Sequence, residues 1–287
     1  MRTAEPVGDT TSAVAAAVWF PYLVGPADAV ERWGRTSAEV LTALAARPEV
    51  PVAARTLREL LRSPPDGPAW RAGMPDFAAL DDLPDWAAAG WRYTSWVADM
   101  PRYLQWLVAQ LAEHGTVPVR DPVATLDDAW SADTDLVVDC AGVEAARLAA
   151  DPTLRPVRGQ VVVVDAPQVT DVWLDPEGPD GATYVIPRTD TVVCGGTADA
   201  DAWDRTVDDE VTADILRRAA ALVPALAGAP VVDVAVGLRP SRPEVRLEVA
   251  STDRGPVLHH YGHGGAGLTL SWGAARAAAA LARDTLA

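Results

Sequence analysis

Three arginines fall within eight residues in Gly237-Leu238-Arg239-Pro240-Ser241-Arg242-Pro243-Glu244-Val245-Arg246. A guanidinium fork binds a carboxylate through two parallel hydrogen bonds, the geometry that holds an amino or hydroxy acid. Arg239 and Arg242 precede proline, which favours extended backbone before it. The chain has no lysine, so arginine signals less here than elsewhere. A solvated edge strand with surface ion pairs is the competing reading of these residues. Further on, the apolar run Pro256 to Tyr261 leads into Gly262-His263-Gly264-Gly265-Ala266-Gly267, and then Leu268-Thr269-Leu270 opens an alanine-rich helix. Strand, glycine turn and helix together present backbone N–H groups to a phosphate or another electron-rich group. Gly262, Gly264 and Gly267 match the spacing of the dinucleotide fingerprint. The chain ends at Ala287 inside that helix, however, whereas a Rossmann half continues to a second strand and a ribose-binding acid. The turn reads as a closing element laid against a cofactor or substrate held mainly elsewhere.

Other candidates carry less. His259, His260 and His263 are three of four histidines. Neighbours on a strand face opposite sides, and no cysteine or carboxylate joins them at ligand spacing, so they read as packed or turn histidines and not as a metal site. The pairs Asp81-Asp82 and Asp127-Asp128 read as loop and helix-cap residues. No nucleophile-elbow sequence supports Ser-His-Asp hydrolysis. Cys140 and Cys194 lie in β-like runs and read as buried, structural thiols and not as a disulfide. Tyr184 alternates with apolar neighbours in Thr183-Tyr184-Val185-Ile186-Pro187 and reads as a packed strand tyrosine whose hydroxyl finds a polar partner.

These groups need elements to position them. Helices are expected over residues 29–47, Met100 to His114 and about Asp208 to Leu226, with strands at residues 91–97, Asp135 to Asp139, Gln160 to Val164, Ala182 to Pro187, Thr191 to Gly196 and Val231 to Gly237. Residues 63–90 read as loop, and the prolines break the arginine-rich stretch 239–248. Thr10-Thr11-Ser12 offers capping hydroxyls ahead of small residues that let backbone approach something bulky. The mixture gives an α/β fold with α+β character. With 287 residues the chain has room for two lobes. A net charge of −16 leaves no basic stripe for nucleic acid or an anionic membrane. No apolar run reaches the roughly 20 residues that cross a bilayer, and Met1 to Pro6 lacks an apolar signal core, so a cytoplasmic protein is expected.

Taken in order, these segments resemble the D-amino-acid oxidase family of FAD-dependent oxidases. The likeness rests on Thr10-Thr11-Ser12 through Trp19-Phe20-Pro21-Tyr22, Val138 to Val143, Asp151-Pro152 through Arg158-Gly159-Gln160, and Tyr184 to Pro187. It continues with Gly195-Gly196-Thr197, Gly237 to Pro240 through Arg246-Leu247-Glu248, and His260 to Thr269 with Trp272-Gly273. The resemblance implies an FAD-binding Rossmann-like lobe interleaved with a substrate lobe on a large mixed β-sheet. Residues 1–20, 115–150 and 237–287 would form the FAD lobe, and 21–114 and 151–236 the substrate lobe. It further implies that Arg239 holds the substrate carboxylate with help from Tyr184, and that the carbonyl of Gly265 accepts from the substrate amine. Thr10, Thr11, Ser12, Ala17, Val18, Val123, Cys140, Ala141, Gly142, Gly264, Gly267, Leu268 and Thr269 fall where the family contacts FAD, often by backbone. No metal is implied.

In such enzymes the α-hydrogen leaves as hydride to the flavin, so no strong side-chain base is needed. Molecular oxygen then reoxidises the flavin to give hydrogen peroxide, and the imino acid hydrolyses to a keto acid and ammonia. Two departures stand out. The family opens with a strand, glycine-rich turn, helix and second strand, and this sequence begins after them. That points to an N-terminally truncated FAD lobe or a misplaced start codon, with the parallel sheet left open. The family also often carries a tyrosine near Asp180, where Gly178-Pro179-Asp180-Gly181 has none, and Phe20 stands where some members carry a polar residue. The expected activity is oxidative deamination of neutral D-amino acids. The alternatives are a glycine, sarcosine or D-aspartate oxidase, or a non-catalytic remnant unable to hold FAD; homodimerisation is left open.

Overall fold

The computed structural model describes residues 1–21, 24–65 and 69–287. Tyr22, from the Trp19–Tyr22 stretch, and residues 66–68 of the expected 63–90 loop lie outside the described residues. In chain order the first elements are β1 (Arg2–Thr3), α1 (Thr11–Val14), α2 (Ala27–Ala45), β2 (Val52–Leu61), β3 (Ala78–Ala79), β4 (Ala89–Ala98), α3 (Met100–Glu113), β5 (Val119–Arg120) and β6 (Val137–Asp139). They continue with α4 (Ala145–Leu148), β7 (Arg155–Val164), β8 (Val172–Asp175), β9 (Thr183–Pro187), β10 (Val192–Gly195), β11 (Asp199–Ala200), α5 (Asp209–Leu222), β12 (Val231–Ser251), β13 (Pro256–His263) and α6 (Gly267–Leu286).

The unbroken run Val161–Val164 in β7 suits a strand buried on both faces, and both are covered. Val162, Val164, Val185 and Cys194 face α5. Val161, Val163, Leu174, Ile186 and Val193 face the opposite side, where Ala16, Tyr93 and the half-buried Phe20, Trp70 and Tyr184 gather. The sheet runs β3-β4-β2-β8-β9-β10-β7-β12-β13-β6, with β11 paired to β7. Its β2–β8 and β13–β6 pairs are parallel, and its remaining pairs are antiparallel, which is the mixed sheet expected. β1 and β5 form a separate parallel pair.

α5 is anchored at its N-terminus by Asp208, whose carboxylate accepts from the Glu210 and Val211 amides at 2.8 and 3.1 Å. α2 and α6 pack closely through small residues: the buried Ser37 hydroxyl accepts from the Gly273 amide at 3.0 Å. Trp19 donates its indole N–H to the Gly34 carbonyl at 3.1 Å and ties the segment before α2 to the body of that helix.

Three expectations change. The prolines do not break the arginine-rich stretch: β12 runs unbroken through it, pairing with β7 over its first half and with β13 over its second. Pro240 and Pro156 sit opposite one another, so neither needs the N–H it lacks, and a register shift between Ser241 and Arg246 absorbs the local mismatch. β2 and β8 lie where no strand was expected. Cys140 is exposed, not buried, because it follows the last residue of the edge strand β6; Cys194 is buried as expected, and both thiols are free.

Candidate active site

Register partners in a sheet share a face. Tyr184 pairs with Gly195, Gly195 with Val161 and Val161 with Ala235. Gly159 pairs with Gly237 two residues along, and Arg239 follows two residues further on β12. Tyr184 and Arg239 therefore rise from one face, over a floor of glycines. The Arg239 guanidinium lies on Gly159, where a Cβ would come within 2.3 Å of Nη1, and Nη1 donates to the Thr197 carbonyl at 3.0 Å. The Tyr184 ring lies on Gly195 and Gly196, where a Cβ would come within 2.1 Å of Cζ and 2.5 Å of the hydroxyl oxygen respectively. Both side chains thus converge on Gly195-Gly196-Thr197.

The alternation also explains Arg158-Gly159-Gln160. The two polar residues point to the α5 face, where buried Gln160 donates to the Asp208 carbonyl and the Thr212 hydroxyl at 2.8 and 2.9 Å. Arg158 donates to the carbonyls of Asp204 and Thr206 at 3.1 and 2.6 Å. Glycine between them clears the opposite face for Arg239. Gly159→Ala is therefore expected to displace the guanidinium while leaving the far face intact. A rise in KM of at least tenfold for a carboxylate substrate, with far-UV circular dichroism unchanged, is the expected outcome. An unchanged KM would separate the Arg239 position from substrate binding.

The glycine turn meets this face through backbone. Ser241 pairs with His263, and the Gly264 amide donates to the Pro240 carbonyl at 2.8 Å, one residue beyond Arg239. Gly264 has φ +52°, the left-handed region glycine favours; exposed Gly265 follows, and α6 starts at Gly267. Gly262, still in β13, packs against the Arg242 side chain. Burial, reinforced by neighbouring His260, pushes the His263 imidazole down to about 3, so this histidine stays neutral. His259 is buried and contacts Asp139 at 3.2 Å across the β13–β6 pair.

Arg242 and Arg246 do not join Arg239. Arg242 Nε donates to buried Asp151 at 2.9 Å, while Arg246 Nη1 donates to the Tyr261 hydroxyl at 2.6 Å, which donates in turn to Asp151 at 3.1 Å. These two arginines clamp the register shift of β12. Asp127-Asp128 is part of a cap, with Asp128 in a capping box with Thr125, and Asp180 pairs with Arg217 at 2.7 Å.

The cofactor candidates fall into two groups. At the carboxyl ends of the parallel neighbours β6 and β13 lie Cys140-Ala141-Gly142 and Gly264 to Thr269, the place where open α/β sheets bind ligands. Gly142 and Gly267 both border open space, since a Cβ on either would meet nothing within 4 Å. The buried His260 Nε2 there lacks a partner, and Cys140 Sγ lies 3.8 Å from His260 Nδ1. Thr269 accepts from the Phe20 amide and donates to the Phe20 carbonyl, at 2.9 and 2.8 Å, so its hydroxyl is engaged within the protein. Leu268 is half-buried beside it.

In the second group, the Thr10 hydroxyl donates to the Val7 carbonyl at 2.8 Å and the Thr11 hydroxyl accepts from the Leu238 amide at 3.2 Å, fastening α1 to β12 next to Arg239. Ser12 is exposed. Ala17 takes φ +62°, an uncommon conformation for a residue with a Cβ, and Val18 bridges to Val97. The Val123 carbonyl accepts from Arg147 of α4. The open edge at Gly142 and Gly267, with backbone N–H groups at the head of α6, suits an electron-rich part of a flavin cofactor laid against it.

Sequence reasoning missed Arg218. It rises from α5 through the back of the sheet and donates to the carbonyls of Ala182 and Gly196 at 3.0 and 3.2 Å and to the Thr183 hydroxyl at 2.9 Å. It fixes the strand ends that carry Tyr184 and Gly195. An arginine inside an amphipathic helix gives no sign of this in the sequence.

A family model described as FAD dependent oxidoreductase matches residues 3–281; the chain belongs to this family, and FAD is its cofactor. Among curated relatives, the D-amino-acid oxidase of Rubrobacter xylanophilus is 45% identical, the match covering 98% of this chain and 87% of the relative. The D-amino-acid oxidase of Streptomyces coelicolor is 40% identical, covering 98% and 88%. The solved glycine oxidase of Geobacillus kaustophilus shares the fold with a TM-score of 0.79 at 19% identity, covering 99% of this chain and 87% of that one. Among the described residues, no helix is long and apolar enough to cross a membrane.

Proposed function

We propose that this protein oxidatively deaminates neutral D-amino acids to 2-oxo acids, releasing ammonia and hydrogen peroxide. The observation that carries the reading is the convergence of Arg239 and Tyr184 on Gly195-Gly196-Thr197, on one sheet face and one residue from the Gly264 amide bond. In this reading Arg239 takes the substrate carboxylate, Tyr184 orients it, and the Gly265 carbonyl accepts from the amine. FAD, when bound, supplies a hydride acceptor and a site that oxygen reoxidises. The residues that would hold it are Thr10, Thr11, Ser12, Ala17, Val18, Val123, Cys140, Ala141, Gly142, Gly264, Gly267, Leu268 and Thr269. The stretches 1–20, 115–150 and 237–287 would face the flavin, and 21–114 and 151–236 the substrate. In this reading the carboxylate and the amine are fixed, and the room left for the side chain decides which enantiomer turns its α-hydrogen to the flavin.

Protein incubated with FAD and freed of unbound flavin should be yellow, and should release peroxide with D-alanine at a rate at least a hundredfold above that with L-alanine. Colourless protein, or equal rates with both enantiomers, would overturn the reading.

A further inference from the structure

The register that aligns Tyr184 with Gly195 continues outward across the sheet. Tyr184 pairs with Leu174 of β8, Leu174 with Glu59 of β2, and Glu59 with Trp91 of β4. Glu59 therefore stands on the Tyr184 face, two strand spacings away, about 10 Å. It is fully buried, and a buried carboxylate requires a partner. Arg71 provides one, with Nε and Nη2 donating to its two oxygens at 2.5 Å each, and the Tyr93 hydroxyl adds a contact at 3.4 Å. Arg71 lies within 4.8 Å of the Trp70 ring centroid and 6.0 Å of that of Phe20. Those two rings meet edge to face at 5.6 Å, and Phe20 is bonded through its backbone to Thr269 at the head of α6. Arg71 is thus a cation in the aromatic wall shared by Tyr184 and the glycine turn, and both carboxylate oxygens of Glu59 already engage it.

We propose that Glu59 determines the substrate class by neutralising Arg71: the paired guanidinium leaves an aromatic, uncharged wall that accepts neutral side chains and offers nothing to a second carboxylate. This inference rests on the function proposed above. A purely structural pair would stabilise the wall with no effect on which ligand is chosen. Selectivity between ligands that differ in one carboxylate separates the two roles, because a site with an unpaired buried cation favours the ligand that neutralises it.

The test uses FAD-loaded protein with Glu59→Gln, Glu59→Asp and the double variant Glu59→Gln/Arg71→Gln. Binding of succinate and of butyrate is measured by calorimetry, and turnover of D-aspartate and of D-alanine by peroxide release. In Glu59→Gln, succinate binding should tighten at least tenfold with butyrate within twofold, and the D-aspartate to D-alanine ratio of kcat/KM should rise at least tenfold. Both gains should vanish in the double variant. Should Glu59→Gln not fold, Glu59→Asp, which keeps the charge but draws the carboxylate one methylene back from the guanidinium and so loosens the pair, should give at least a threefold rise in the same direction. Unchanged succinate-to-butyrate selectivity in a folded single variant overturns the inference, as does a gain that survives in the double variant. Lack of D-alanine turnover by the unmodified protein would count against the proposed function alone, since the binding arm needs no turnover.

Discussion

Arg239→Ala should lower kcat/KM for D-amino acids by about two to three orders of magnitude, mostly through KM. The size follows from the geometry. Arg239 is half-buried, its Nη1 is held by the Thr197 carbonyl at 3.0 Å, and the floor beneath it is glycine. That hold leaves Nε and Nη2 to meet a substrate carboxylate in the proposed site. A charge-assisted bidentate pair away from bulk water is worth about 2–5 kcal/mol when one partner is removed, which converts to roughly 30- to 5,000-fold. Arg239→Lys keeps the charge but loses the planar fork, so it should recover only part of the loss. The measurement is steady-state peroxide release at several D-alanine concentrations, with flavin content determined on the same samples. Unchanged flavin with raised KM marks a substrate contact. Flavin loss with unchanged KM would move Arg239 out of the substrate site and into cofactor retention.

Much of this was legible because strand alternation and motif order are local properties. Tyr184, Gly195 and Arg239 could each be marked in the sequence, and the helices at residues 27–45 and 100–113 follow from apolar spacing. The failures share one cause. β2, Val-Ala-Ala-Arg-Thr-Leu-Arg-Glu-Leu-Leu, is built largely of good helix formers, and it becomes a strand because β4 and β8 offer it ladders on both edges. Missing β2 concealed the place of Glu59 on the Tyr184 face. The arginine-rich stretch failed in the opposite sense: its prolines suggested a break, although Pro240 sits opposite Pro156 and Pro243 falls inside the register shift. The division of labour among its arginines was also beyond the sequence. Spacing alone does not say that Arg239 faces glycines while Arg242 and Arg246 face Asp151, since the register shift between them resets which residues share a face.

That shift underlies the other large expectation. Asp151→Asn should destabilise the protein by about 3 kcal/mol at neutral pH, because removing one member of a buried charge network leaves the arginines without their counter-charge. In a chain of this size that is a fall in Tm on the order of 5–10 °C. Burial by itself would raise the Asp151 carboxyl above its ordinary value. The Thr153 hydroxyl and amide, the Tyr261 hydroxyl and Arg242 outweigh burial and hold it well below the usual carboxylate range. A folded-state value below the unfolded one means that the stabilisation is fully present above the unfolded pKa, about 3.9, and is lost as pH falls through the folded value. The stability gap between unmodified protein and variant should therefore stay constant from pH 7 to about 5 and narrow steadily below about 4. Urea titrations at a series of pH values check this, and a gap that persists undiminished at pH 2 would show that shape and not charge holds the network. The consequence reaches the site. Gly262 rests on the Arg242 side chain, and Gly264 hangs from the Pro240 carbonyl. Releasing Arg242 from Asp151 frees the bulge that fixes where the glycine turn stands relative to Arg239. KM for D-alanine should rise in the variant even at temperatures where it remains fully folded, and a variant that melts early yet binds substrate normally would confine Asp151 to stability.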